Sequence, residues 1–335
     1  MNYIIYMKSS VIKFFRDYCR EKYSVRVRKI PVAIPVTCPN INGTKGRGGC
    51  IYCFRGSKPE HIDPGTSLRE QIRGEIERAR KRYGRKTLFF LYFQSYTNTY
   101  LPLEKLKEYY DSVLDFPEIV GLDVGTRPDC APDHVLDLLR SYSEMGYEVW
   151  IELGLQTANF ETLKRINRKH GLSDLVDAVI RAKERELKVC VHTIIGLPGE
   201  GREDFLETAK LLSALCIDGV KIHPIYVMRN TPLARLYEEG GFRPLSIEEY
   251  TEEASLFLEY IHPETVVHRL TAEAKPPHLL APDYCTYERK LEVIRLIEEK
   301  LKRRKSRQGA RAERRGLLSV KGTGGHRGKG VEIKG

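Results

Sequence analysis

No apolar run in the 335-residue chain approaches the roughly 20 residues of a membrane-crossing helix, so helical membrane spans are excluded and no membrane partner is expected. No small-residue cleavage site follows the opening stretch MNYIIYMKSSVIKFFRDYCR. Its Ile12, Phe15 and Cys19 recur at helical spacing, which predicts an amphipathic helix over residues 1–22 and not a signal peptide. Eight cysteines without a secretory signal point to a reducing, cytoplasmic compartment. Net charge is scarce outside one segment. Of the net +11, the stretch from Lys302 onward carries +10, twelve Lys or Arg standing against Glu313 and Glu332, and leaves the body about +1. The basic isoelectric point therefore reports a tail and not a basic active site. That tail, rich in Gly, Arg and Lys, has too few large apolar side chains to bury a core and is predicted to be disordered over residues 302–335. It can add salt-sensitive affinity for RNA through phosphate neutralisation, but it lacks the interleaved aromatics that would stack on bases.

What the chain does possess is the loop CPNINGTKGRGGCIYC. Cys38, Cys50 and Cys53 stand eleven and then two residues apart, among Gly43, Gly46, Gly48 and Gly49 and with no acidic residue between them. Three thiolates on a glycine-rich loop suit an iron–sulfur cluster, whose irons take cysteine sulfur and tolerate close backbone approach. With four irons and three cysteines, one iron is left to hold something else. Zinc competes, since a CxxC pair serves both metals, but a structural zinc site is normally closed by four ligands. The nearest downstream histidine, His61, is single and makes no ligand pair. Three unliganded thiols are disfavoured on so polar a loop.

After Cys53 short apolar strands alternate with amphipathic helices. The strands are predicted at 87–93, 118–126, 147–156, 187–196 and 218–227, and the helices at 67–83, 103–114, 131–145, 172–186 and 202–215. With a strand in SVRVRKIPVAIPVT before the cysteine loop, this gives six βαβ-linked strands. The predicted fold is α/β, a partial (β/α)6 TIM-type barrel. Residues 1–30 form an N-terminal helix and lead-in strand, 31–230 the barrel, 231–301 a helical extension packed on it, and 302–335 the tail. In parallel α/β folds the chemistry collects at the carboxyl ends of the strands. Gln94 and Ser95, Thr126 and Arg127, Gln156, Gly196 to Glu200, and His223 all fall there.

The combination of CPNINGTKGRGGCIYC, YFQSYTNTY, GTRPDC, ELGLQT and HTIIGLPGE, in that order over residues 10 to 300, resembles the radical S-adenosylmethionine (SAM) superfamily. Within it the chain resembles the YhcC-type branch, related to the radical domain of the elongator catalytic subunit. The resemblance implies that Cys38, Cys50 and Cys53 hold a 4Fe–4S cluster whose free iron chelates the amino and carboxylate groups of SAM. Reductive cleavage to a 5′-deoxyadenosyl radical and hydrogen abstraction from a substrate would follow. It further implies that Tyr52 lies near the adenine, that Glu152 and Gln156 face cofactor or substrate, and that Gly196 and Gly199 admit the adenine. Gln94 and Ser95 stand where many members carry Gly-Gly-Glu, a departure from that pattern. An electron donor such as a flavodoxin or ferredoxin is expected, and a tRNA nucleoside is one candidate substrate. Fewer than about 100 ordered residues follow the barrel, too few for an acetyltransferase domain, so acetyl-CoA-dependent modification by this chain alone is not expected.

Several residues carry structural readings beside functional ones. Thr126-Arg127-Pro128-Asp129 reads as a strand end and helix start, or as an Arg127 site for a carboxylate or phosphate. Cys130, Cys190 and Cys216 read as core, Cys285 stays open, and His192 reads as a satisfied core histidine. His223 is a candidate site residue, and His268 and Arg269 are placed toward the barrel mouth. LPGE lacks the lysine of a nucleotide-binding loop. The alternative to an enzyme is a zinc-containing nucleic-acid-binding protein without catalysis.

Overall fold

The computed structural model describes residues 10–54 and 65–312. The first nine residues of the predicted N-terminal helix, His61 and the tail from residue 313 lie outside the described residues. Nine strands are assigned: β1 (Val27–Val32), β2 (Leu88–Phe93), β3 (Ile119–Thr126), β4 (Glu148–Gln156), β5 (Lys188–Ile195), β6 (Gly219–Pro224), β7 (Val227–Met228), β8 (Val266–Arg269) and β9 (Leu279–Ala281). Ten helices accompany them: α1 (Phe15–Tyr23), α2 (Leu68–Tyr83), α3 (Leu103–Tyr110), α4 (Asp133–Glu144), α5 (Phe160–Arg165), α6 (Leu172–Glu184), α7 (Arg202–Ala214), α8 (Pro232–Glu238), α9 (Ile247–Tyr260) and α10 (Lys290–Arg303).

Seven parallel strands form one curled sheet in the order β1-β2-β3-β4-β5-β6-β8, an open half-barrel. The six predicted strands are present. The seventh, β8, comes from the stretch read as a helical extension, because four residues are too short a run to stand out by periodicity. Strand β2 is apolar on both faces. In β2, Phe89, Leu91 and Phe93 pack outward with Ile72, Leu106 and Tyr110, while Phe90 joins an inner cluster with Trp150, Cys190 and Val266. Pro31 sits in β1, an edge strand where its missing N–H leaves no ladder bond unmade.

The amino ends of the strands are stoppered. Helix α1 starts at Phe15, later than predicted, and lays its aromatic face across the barrel floor. The Phe15 ring centroid is 5.6 Å from Phe90, 6.1 Å from Trp150 and 4.4 Å from His268. Before it, Phe14 bridges to Val267 and so covers the outer edge of β8. The start of the tail is also ordered. Arg304 reaches Glu259 at 2.8 Å and Glu252 at 2.9 Å, Arg311 reaches Glu259 at 2.7 Å, and Gln308 is buried with its amide on the Thr265 carbonyl at 2.6 Å. Disorder from residue 302 is thus corrected through 312, because a buried carboxylate on α9 supplies partners that composition does not reveal.

Candidate active site

The cysteine loop follows β1 and lies over the carboxyl ends of the strands, stitched to the segment after α5. Asn167 donates to the Gly49 carbonyl at 2.7 Å, Asn40 donates to the Asn167 carbonyl at 2.6 Å, and Ile51 N–H donates to the Ile166 carbonyl at 3.1 Å. Asn167 and Lys169 both adopt left-handed φ values, 57° and 60°, and together they aim the intervening Arg168 inward. The buried Arg168 guanidinium places Nη1 3.5 Å from Cys50 Sγ and donates through Nη2 to the Gly154 carbonyl. Asn40 Nδ2 stands 3.6 Å from the same sulfur. Burial works against the charge on Arg168, yet the Cys50 thiol, Tyr52 and Cys38 raise its pKa overall. Glycine at 154 leaves room for this guanidinium, since a Cβ there would lie 2.6 Å from Arg168 Nη2 and displace it.

Cys50 is buried, and Cys38 and Cys53 are half-buried. Among the described residues, Glu152, Cys190 and His268 form the one trio of potential ligands whose atoms lie within 4.8 Å of one another, so the three loop sulfurs are spread more widely than that. Tetrahedral zinc with Zn–S bonds of about 2.3 Å would draw three sulfurs to within roughly 4 Å of each other. The spacing suits a larger centre.

Around this loop the rim residues fall as the strand ends predict, with differences in detail. Tyr52 is half-buried beside Cys50, and burial, then the Cys50 charge, pushes its phenol well up. Gln94 is half-buried after β2. Ser95 is buried and its hydroxyl has no hydrogen-bond partner. Thr126 is joined to Thr99 at 2.6 Å. Arg127 grips Asp129 with two bonds, 2.9 and 3.0 Å, and keeps Nη1 buried and unpartnered. The anion that this fork was read to hold is thus first of all the chain's own Asp129. That carboxyl sits at about 2, because Arg127 and Lys45 (2.5 Å) outweigh burial. Gln156 has a left-handed φ of 81° where the β4–β5 register slips, a strained conformation at a strand end. Gly196 and Gly199 have φ of 90° and 82°. Their near neighbours are Leu245 and Ile225 for the first and Arg165 for the second, so protein atoms already crowd both.

Below the rim the barrel interior is charged. Glu152 shares an inward face with Gly154 and Gln156, as alternation along β4 predicts. Its carboxylate is fully enclosed, 2.8 Å from Lys29, 2.7 Å from His192 and in contact with Lys221, and it therefore has no free oxygen to offer a ligand. Lys29 also pairs with Asp123, and Lys221 donates to Tyr92 at 2.8 Å. The reading of Glu152 as a cofactor contact becomes a role in holding the interior. His192 is the satisfied histidine expected, its pKa lowered to about 4 by burial and then by Lys221. His268 lies near the floor against Trp150, not at the mouth. Cys130, Cys190 and Cys285 are buried, and Cys216 is half-buried.

The sequence matches the Radical SAM superfamily over residues 43–212 and the Radical_SAM C-terminal domain over residues 217–303. Protein YhcC of Escherichia coli K12 is 39% identical over 278 residues, covering 82% of this chain and 88% of YhcC. The chain belongs to the radical SAM superfamily. Elongator complex protein 3 of Mus musculus is 29% identical over 170 residues, 48% of this chain and 29% of that protein. The solved Methanocaldococcus infernus Elp3 with an N-terminal deletion superposes with a TM-score of 0.62 at 21% identity, over 84% of this chain and 64% of that one. This radical SAM protein is thus a YhcC-type member related to the elongator catalytic subunit, and an enzyme of that class. Its cofactors are those of the superfamily, a 4Fe–4S cluster and SAM.

The residues fit both. The three sulfurs are splayed, and one of them faces two nitrogen donors of Arg168 and Asn40. Buried atoms without partners gather at the same rim, among them Ser95 Oγ, Asn98 Oδ1, Asn40 Oδ1 and Arg127 Nη1, as a site built for a polar ligand requires. Two of its residues were not legible in the sequence, Asn40 and Arg168. The one available signal was a basic residue following the fourth strand's end, in INRKHG, and it lay beyond a helix, α5, too short to be foreseen.

Proposed function

We propose that this enzyme holds a 4Fe–4S cluster on Cys38, Cys50 and Cys53, binds SAM against it, and cleaves SAM reductively to abstract hydrogen from its substrate. The bound pair supplies a one-electron reductant and a sulfonium whose cleavage yields a 5′-deoxyadenosyl radical. The chain's residues do the rest. Arg168 and Asn40 direct N–H donors at the Cys50 sulfur and fix its direction, and Arg168 ties the loop to β4 through the Gly154 carbonyl. Tyr52, Ser95, Thr126, Arg127 and Gln156 line the rim where the cofactor's polar groups would be held. Helix α1 and the Lys29–Glu152–Lys221 layer close the other end against water, which protects radical chemistry from solvent. The observation that carries this reading is the display of three splayed cysteines, with Arg168 directed at Cys50, over the carboxyl ends of a parallel half-barrel.

The reading includes cytoplasmic work with a flavodoxin or ferredoxin as electron donor, and RNA contact by the basic tail as an accessory. The substrate is a tRNA nucleoside, a protein or a small metabolite, and the chemistry of the barrel interior bears on that choice below. The test is oxygen-free reconstitution. Brown protein with about four irons per chain, whose electron paramagnetic resonance signal shifts when SAM is added, is expected. Colourless protein with one zinc, or a cluster whose signal SAM never alters, overturns it.

A further inference from the structure

Three adjacent strands bring unpartnered donors together inside the barrel. β5, β6 and β8 lie side by side, with His192 opposite Lys221 and Lys221 opposite Arg269. The β6–β8 register slips at Val220/Lys221, so His268 and Arg269 both face Lys221. An irregularity of this kind re-aims a side chain. Here it turns Arg269 toward the interior, where its charge acts on Tyr92, His192, His223 and Tyr226.

Arg269, His223 and Tyr226 are each half-buried, and none of their side chains has a hydrogen-bond or ion-pair partner among the described residues. The other interior cations are compensated, Lys29 by Asp123 and Glu152, and Lys221 by Glu152. Against burial, the Arg269 charge and then Lys290 lower the Glu273 carboxyl, and the direct ion pair of Glu273 is with Lys290. His223 stands 6.0 Å from His192, ring to ring, and burial followed by the Arg269 charge keeps it neutral. The interior thus holds a guanidinium with no hydrogen-bonded carboxylate beside an imidazole and a phenol that can donate without adding charge. Burial raises the Tyr226 phenol, and the Arg269 charge beside it works in the opposite direction.

We propose that Arg269, His223 and Tyr226 form a substrate subsite for a carboxylate, so that the substrate is a small organic acid whose carbon chain extends toward the cysteine loop. This rests on the radical SAM reading of the same barrel. A planar guanidinium takes a carboxylate by two parallel bonds. A neutral nucleobase edge would leave that charge uncompensated in a half-buried site.

The test is isothermal titration of the full chain, with the cluster and without it, using succinate, inorganic phosphate and SAM as separate probes. Saturable succinate binding is expected, weakened at least roughly tenfold by Arg269→Gln and unaffected by a control at exposed Arg140. SAM should bind without displacing succinate. Equal succinate binding by Arg269→Gln overturns the proposal. So does displacement of succinate by SAM, which would give Arg269 to the cofactor's own carboxylate. Binding of phosphate alone also overturns it and points to a nucleotide substrate. If Arg269→Gln does not fold, His223→Gln replaces it, with weakened succinate binding expected and unchanged binding decisive against. Failure to take up a cluster while succinate still binds counts against the radical SAM reading and not against this subsite.

Discussion

The two ends of the barrel are built from the same strands and treat polar groups in opposite ways. At the floor, Glu148 accepts from Tyr18 at 2.8 Å, Tyr23 at 2.9 Å and Trp150 at 2.6 Å and is ion-paired with Lys22, all beneath the aromatic face of α1. One pleat higher, Glu152 is saturated by two lysines and a histidine. At the rim, Ser95, Asn98, Arg127 and Arg168 each keep a buried atom without a partner, and Gln156 sits in a strained backbone conformation. Desolvation costs the same at either end. At Glu148 and Glu152 protein partners offset it and thereby contribute to stability, with His268 Nε2 the unpartnered atom near the floor, whereas the rim atoms stand without partners until a ligand arrives. Stability and function are separated along the strand axis.

That contrast can be broken or sharpened by substitution. The largest effect is expected at the rim, where Cys38→Ala should remove the cluster and abolish deoxyadenosine release while leaving the melting temperature of cluster-free protein nearly unchanged. Deoxyadenosine by chromatography and a thermal melt check the two halves. At the interior layer the signs reverse. Glu152→Ala leaves Lys29 and Lys221 buried with less compensation and should cost about 3–5 kcal/mol in chemical denaturation. A loss under about 1 kcal/mol would show that the layer is not structural.

Arg168→Gln lies between these extremes. It removes a donor to Cys50 and should lower iron retention or deoxyadenosine formation roughly 10–100-fold, with a midpoint potential shifted downward. An unchanged potential would make Arg168 a packing residue only. The smallest effect is pH-dependent. Burial, then the Asp204 charge, raises the Glu200 carboxyl from 4.5 to about 7. The folded protein therefore holds that proton more tightly than the unfolded chain. The associated stability is full below pH 4.5 and is lost as pH rises through 7. Glu200→Gln should match the native chain at pH 4.5 and exceed it by on the order of 2 kcal/mol at pH 8. Parallel stability curves for the two proteins would refute this.

The barrel strands were legible because each is a short run of Val, Ile, Leu and Phe between helices of amphipathic period, and their observed bounds fall within a few residues of those predicted. The cysteine spacing was legible for a similar reason, since one loop carries all three cysteines of the proposed ligand set. Other features depend on partners far away in sequence. Glu152 read as a rim residue because alternation fixes its face but not its depth, and only Lys29 and Lys221, on strands at the two sides of the barrel, reveal that it is consumed. The ordered start of the tail is explained by Glu259, 45 residues before Arg304.

The amino-acid order by itself determined a parallel α/β chain with three cysteines at the end of its first strand. Hydrophobic period and ligand spacing are local properties, readable within a dozen residues. Only the tertiary structure decided which polar groups are spent on one another and which are left over. Arg168, Arg269 and Glu152 are alike in sequence as charged residues among apolar strands and short helices. The fold pairs the first with a sulfur, leaves the second without a hydrogen-bonded carboxylate and encloses the third among cations, because the balance of charge inside a barrel is struck across strands and not along them.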